Sequence, residues 1–546
     1  MRLFPTCFGR ALLRSPLVGA TLAAALLVSG CGDNYRPVVT PVNTSGPPAQ
    51  PASYAIVVSS TGPSTPGVAA IVDYSGDSVL AQAPIGIGAG PLTMTIDETG
   101  SYAYSLNRDG TITNLTVNPS TQLQPRYETY TTLLSTALPV NMVAPSIGLW
   151  IADLNGNAVD ICKGSPETCQ LPVPVGSATV AAPTPVFIAG APTNTGQRQY
   201  VISQGFTDNS HLACNNSPTT APANGVATPI EMSTDSADVP IVLDPSNPAN
   251  DPAGAMNARC PDFAVQTPDL QRLFVLNRGS DTISVINSQT NSLDDQCPPP
   301  RGCVNQNGQT YFTHPLLPLS TTAVTATGIT PPNGTAGMTA VAGPVFAQYN
   351  QATQQLVVAN YDGGTISVID VSLDQYGNDS PTFGTTYTIK VGNTATPYPA
   401  SVTVLYDGTR AYTANQGDDS GTGNGTVTIV NLSSHQVEKT LTVVGHPRTV
   451  VSTENSLYGK IYVASPDSPF LTIIESDTDL VDTTVLTEGN IVDVRVTTIN
   501  GVNNSNDFFS SRVPGYGQPC NLPPKQMIAT YGAGYTLADC QAIPTP

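Results

Sequence analysis

Ten cysteines and four histidines are the residues best able to carry redox, metal or nucleophilic chemistry in this 546-residue chain. Eight of the cysteines fall as sequence neighbours: Cys162 and Cys169, Cys214 and Cys260, Cys297 and Cys303, Cys520 and Cys540. None is spaced Cys-x-x-Cys, which weakens zinc, thioredoxin-like and haem-attachment chemistry and favours structural disulfides. Eight cysteines allow about a hundred pairings, so neighbour pairing rests on proximity alone. The histidines are His211, His314, His435 and His446. His435 and His446 bracket TLTVV at the two ends of one expected strand, no spacing suggests a shared metal, and all four read as solvated surface side chains. The segment NQGDDSGTGNG offers Asp418 and Asp419 as oxygen ligands but lacks the alternating acidic order of a calcium loop. There is no Gly-x-Ser-x-Gly elbow, His-Glu-x-x-His pair or phosphate-binding loop. No catalytic, cofactor-binding or metal-binding residue is therefore assigned, and no cofactor is expected.

The amino terminus carries a different chemistry. Arg2, Arg10 and Arg14 precede an apolar run from Leu17 to Val28, too short to span about 30 Å of hydrocarbon, so residues 1–30 read as a signal peptide. Val28-Ser29-Gly30-Cys31 resembles the lipobox of bacterial lipoproteins. The resemblance implies cleavage before Cys31 and a thioether-linked diacylglycerol on its thiol. Acyl chains contribute about 0.8 kcal/mol per buried CH₂, enough for two or three chains to hold a folded domain at a membrane. Residues 31–53, rich in Pro, Thr and Ser, then form a flexible tether. Gly32 replaces the Asp that signals inner-membrane retention in enteric bacteria, so an outer-membrane location in the cell envelope is implied. Without residues 1–30 the chain keeps 17 of its 20 Lys and Arg against 39 Asp and Glu, a formal charge of −22. Such a surface repels nucleic acid, which is excluded as a partner.

The elements that would position any site follow from a repeat. Gly (47) and Pro (50) are in surplus and no long stretch has helical apolar spacing, so the chain is all-β. A short apolar strand ends in Asn, Asp or Ser, followed by a Gly-containing turn and an alternating strand. The clearest copies are LFVLNRGSDTISVIN (273–287), LVVANYDGGTISVID (356–370) and AYTANQGDDSGTGNGTVTIVN (411–431). The closing residues are Ser59, Asn107, Asp153, Ser203, Asn277, Asn360, Asn415 and Ser465, about 50 apart with two longer intervals. A closing Asn or Asp is expected to bond nearby backbone amides and hold the turn, and Asn107, Asp153, Asn277, Asn360 and Asn415 are assigned that role. In TISVIN and TISVID the alternation predicts one apolar sheet face. Trp150 takes a tyrosine-like position on its strand and is expected in the core.

These copies resemble the YVTN-type β-propeller repeat, over residues 54–498 and most strongly over 260–450. The resemblance implies four-stranded blades, eight by the closing residues or seven if one weak copy is not a blade. NIVDVRVTT (490–498) is expected to supply the strand missing from the first blade and close the ring. The stretches near 205–258 and 288–340 read as surface loop insertions, and residues 499–546 as an extension with an expected Cys520–Cys540 link and aromatics that pack on the propeller. YVTN-type relatives include surface-layer proteins and lactonase-type enzymes. The implied function is a non-catalytic envelope lipoprotein, anchored by lipid, whose propeller binds a protein, ligand or envelope partner. The alternative is a propeller enzyme of lactonase or oxidoreductase-partner type with its site at the central channel.

Overall fold

The computed structural model describes most of residues 54–496 and the strand Ser510–Arg512, all within the compact unit Ser45–Pro546. Cys31, Cys214, Cys520, Cys540, His211, Asp418 and Asp419 lie outside the described residues. Those that are described form no helix; they form nine sheets, eight of them the blades of a propeller and the ninth a two-stranded hairpin.

Every blade is an antiparallel meander counted outward from the channel. Blade 2 runs Pro91–Ile96, Tyr102–Asn107, Thr111–Asn118 and Leu123–Thr132. Blade 6 runs Pro344–Asn350, Gln355–Asn360, Thr365–Asp370 and Thr386–Lys390, and blade 7 runs Pro399–Val404, Arg410–Asn415, Thr426–Asn431 and Gln436–Thr442. Blade 8 follows with Thr449–Ser452, Lys460–Ala464, Phe470–Glu475 and Leu480–Leu486. Blade 3 starts with Pro139–Val143, Leu149–Asp153 and Ala158–Lys163, blade 4 with Pro185–Gly190, Arg198–Ser203 and Val226–Glu231, and blade 5 with Pro261–Gln266, Arg272–Asn277 and Thr282–Asn287. In these three blades, as in blade 1, the fourth strand is split into two short pieces.

The ring is closed by the carboxyl-terminal end. Asn490–Val496 pairs antiparallel with Tyr54–Ser60, for instance Val57 with Val494, and is the innermost strand of blade 1. Each inner strand adjoins that of the next blade, and the inner strand of blade 8 adjoins that of blade 1. A closed ring leaves no blade with an uncovered face.

That closure corrects the expectation of one apolar face per strand. In Thr282–Asn287 and Thr365–Asp370 the first five residues are all buried, Ser284 and Ser367 included, because each blade is sandwiched between two others. Apolar residues fill both interfaces. An aromatic three residues before the closing position recurs in six blades as Tyr104, Trp150, Tyr200, Phe274, Tyr412 and Tyr462, all buried.

The two long intervals are not single loops. Residues 205–258 contain the third strand of blade 4 and its outer pieces Ser236–Ala237 and Ile241–Val242. Residues 288–340 contain the outer pieces Ser292–Leu293 and Leu316–Pro318 of blade 5, with the hairpin Cys303–Val304 and Thr310–Tyr311 between them. Two-residue strands carry too little alternation to show in sequence. Disulfides join Cys162 to Cys169 and Cys297 to Cys303. Cys260 is also disulfide-bonded.

Candidate functional site at the channel mouth

The four closing asparagines donate to hydroxyls on the neighbouring strand, where the turn chemistry suggested bonds with backbone amides. The Asn277 Nδ2 donates to Thr282 Oγ1 (3.2 Å) and Ser284 Oγ (2.8 Å). Asn360 donates to Thr365 (3.0 Å) and Ser367 (2.8 Å), and Asn415 to Thr426 (3.0 Å) and Thr428 (2.8 Å). Asn107 does the same with Thr111 (3.2 Å) and Thr113 (3.0 Å). One carboxamide thus satisfies two hydroxyls that stacking would otherwise bury unpaired.

Blade 3 departs from this arrangement. The register Asp153↔Ala158 and Ile151↔Asp160 puts Asp153 in the Asn position and Asp160 where six of the other blades carry Ser or Thr. Burial, and then the charge of Asp153, pushes the Asp160 carboxyl up to about 6 from 3.8. Between those values the folded chain holds a proton that the unfolded chain gives up. The contribution of Asp160 therefore favours folding below about pH 4 and is lost as the pH rises through about 6. Asp160→Ser is expected to raise stability at pH 7 by about 1–2 kcal/mol, discounted for partial solvation, and to flatten the pH 4–6 dependence. Melting temperatures at pH 4 and pH 7 check this.

A second recurring device opens five of the eight inner strands at the same end. Gly90, Thr184, Cys260, Gly343 and Tyr398 have positive φ (60°, 58°, 51°, 60° and 48°), and each precedes a proline that starts the strand. Their carbonyls accept from the amide after the closing residue: Arg108 (2.9 Å), Gln204 (3.0 Å), Arg278 (3.0 Å), Tyr361 (2.9 Å) and Gln416 (3.1 Å). Gly343 admits no side chain, because a Cβ would lie 1.9 Å from Asp362 Oδ2. Five blades thereby place the residue after the closing position at the same end of the ring, Arg278 and Tyr361 among them.

Arg278 is buried and donates through Nε and Nη2 to Asp362 (3.1 and 3.0 Å), joining blades 5 and 6. Its guanidinium lies 5.4 Å from the Tyr361 ring, which stacks on Tyr398 at 5.0 Å. Burial opposes its charge, but Asp362 outweighs that, Asp262 adds to it, and the pKa stands above its usual value. Asp262 is the bulged residue of its inner strand, at the position of Leu92, Val186, Val345 and Ala400 in other blades. Asp281 accepts from the Gly343 amide (2.8 Å), and burial pushes its carboxyl up to about 6.

The histidines differ from the expected solvated side chains. His446, just before blade 8, is buried: its Nδ1 lies 2.6 Å from Asp467 Oδ2 and its backbone amide donates to Oδ1 (2.8 Å). Its Nε2 is buried without a hydrogen-bond partner among the described residues. His314 pairs with the buried Asp379 (2.9 Å), itself bound to Arg272 (3.2 Å). His435 stacks on Tyr387 at 3.5 Å, and burial lowers its pKa. Spacing could not reveal these partners, which arrive from other blades or turns. Trp150 is fully buried, as its strand position suggested.

Fold and mouth together define an eight-bladed β-propeller. Among solved structures, NirN, a dihydro-heme d1 dehydrogenase, is similar over 84% of this chain and 78% of its own, at 13% identity and a TM-score of 0.51. Apo AztD from Citrobacter koseri is similar over 82% of this chain and 98% of its own (11% identity, TM-score 0.49). The periplasmic gluconolactonase PpgL of Pseudomonas aeruginosa covers 82% and 99% (15% identity, TM-score 0.43). No family model and no curated protein matches the sequence. At these identities the likeness shows the fold alone.

Proposed function

We propose that this chain is a cell-envelope lipoprotein of YVTN-repeat type, held at the outer membrane by a lipid on Cys31, whose propeller is a binding scaffold and not a catalyst. The observation that carries this reading is what the charged groups at the mouth do. Arg278 is spent on Asp362 and His446 on Asp467, and Asp493 accepts from Thr93 (3.0 Å) and Met94 (3.1 Å) of the next blade, so these ionisable groups fasten blades and turns to one another. Groups built for chemistry converge instead on the space a substrate fills. The proposed partner is a protein or envelope component. The test is fractionation and pull-down from native envelopes. Wild type is expected with the membranes and its partner, and Cys31→Ala in the soluble fraction; a Cys31→Ala form that stays with the membranes contradicts the anchor.

One observation favours the alternative of a lactonase-type enzyme. Asp467 fixes Nδ1 of His446 and leaves Nε2 unbonded, the arrangement of a general base. A lactone-hydrolysis activity abolished by His446→Gln would establish that reading over the first.

A further inference from the structure

The inner strands of a propeller are sheet edges facing the channel, and their free amides need partners. In four blades a side chain of the preceding blade supplies one, in three of them to the fourth residue counted from the opening proline. Met94 N donates to Asp493 Oδ2 (3.1 Å), Ile188 N to Asn141 Oδ1 (2.8 Å) and Val450 N to Ser401 Oγ (3.0 Å), while in blade 7 the sixth residue, Val404, donates to Gln348 Oε1 (2.6 Å). In blade 3 a strand lies on this edge: Ser510–Arg512 pairs antiparallel with the channel side of Pro139–Val143, Ser511 opposite Met142 and Arg512 opposite Asn141. This strand follows ring closure, and the fourteen residues from Val496 to Ser510 span up to about 46–50 Å, ample to reach blade 3.

We propose that the channel-side edge of blade 3 is a strand-accepting site for extended polypeptide, occupied at rest by residues 510–512 of the same chain. An extended segment of a partner protein enters by displacing them. Backbone pairing gives such a site affinity with little demand on sequence, and a three-residue pairing is short enough to exchange. The proposal rests on the binding-scaffold reading for its partner, but occupancy of the edge by the tail does not.

Two measurements on the full-length chain separate these parts. Ser511→Pro removes an amide donor and fixes φ in the middle of the tail strand, outside all eight blades. Hydrogen exchange over residues 139–143 is expected to become about tenfold faster in this variant, with residues 185–190 unchanged. A fluorescein-labelled peptide with the sequence of residues 505–517 is then expected to bind the Ser511→Pro variant and not the wild type. Unchanged exchange overturns tail occupancy. Faster exchange without peptide binding overturns the acceptor site, while leaving the anchor and scaffold reading intact.

Discussion

A chain ending at Gly489 is expected to lose its cooperative fold, whereas one ending at Thr498 keeps it. The shorter chain lacks Asn490–Val496, and with it the buried Ile491, Val492, Val494 and Val496. At about 1.5–3 kcal/mol for each buried aliphatic side chain, the loss is about 6–12 kcal/mol. That is comparable to the whole net stability of an ordinary domain, about 5–15 kcal/mol. It also uncovers Tyr54–Ser60 as a sheet edge whose Ala55 to Val58 are fully buried in the closed ring, so aggregation should accompany unfolding. Size-exclusion chromatography and thermal melts check this. A chain ending at Gly489 that stays monomeric and melts as the wild type does would contradict closure by this strand.

The second large effect is expected at Arg278. Arg278→Met keeps the apolar stem but leaves the carboxylates of Asp362 and Asp262 without the cation that compensates them. Breaking a buried pair from one side costs about 3–5 kcal/mol, because the remaining charge stays desolvated. Asp362 is partly exposed, which places the expected cost near the lower bound, about 3 kcal/mol. Arg278→Met combined with Asp362→Asn should recover part of it, since the double variant removes both charges of the pair. Calorimetric melting of both variants tests the argument. A single variant within about 0.5 kcal/mol of wild type would show that the pair does not fasten blade 5 to blade 6.

How far the sequence could be read depended on the range of each interaction. The repeat is local. A closing Asn and its two hydroxyls lie within one hairpin, five and seven residues on in blades 5 and 6, so spacing alone exposed the blades. The strand at 490–496 was legible because blade 1 visibly lacked an inner strand. The role of Asn was misjudged, since its carboxamide reaches across to a strand whose polar face looked solvent-exposed until the blades were stacked. The outer pieces of blades 4 and 5 were hidden because two residues show no alternation. The mouth was out of reach for another reason. Arg278 and Asp362 are 84 residues apart, and Asp493 and Thr93 are 400 apart, so ring geometry alone brings them together. One signal was present and missed. Asp262 stands at a position that is aliphatic in blades 2, 4, 6 and 7, and an acid there marks a buried cation opposite.

The claim on which all of this depends is that the two ends of the propeller meet in one blade. Val57 and Val494 are directly paired across that junction. Antiparallel partners have Cα atoms about 4.5–5.5 Å apart, within reach of a disulfide. Mass spectrometry of the non-reduced digest of a Val57→Cys, Val494→Cys chain is therefore the most direct measurement. The closed ring predicts one cross-linked species joining the peptides that contain positions 57 and 494. Two separate free-thiol peptides from folded protein would contradict it.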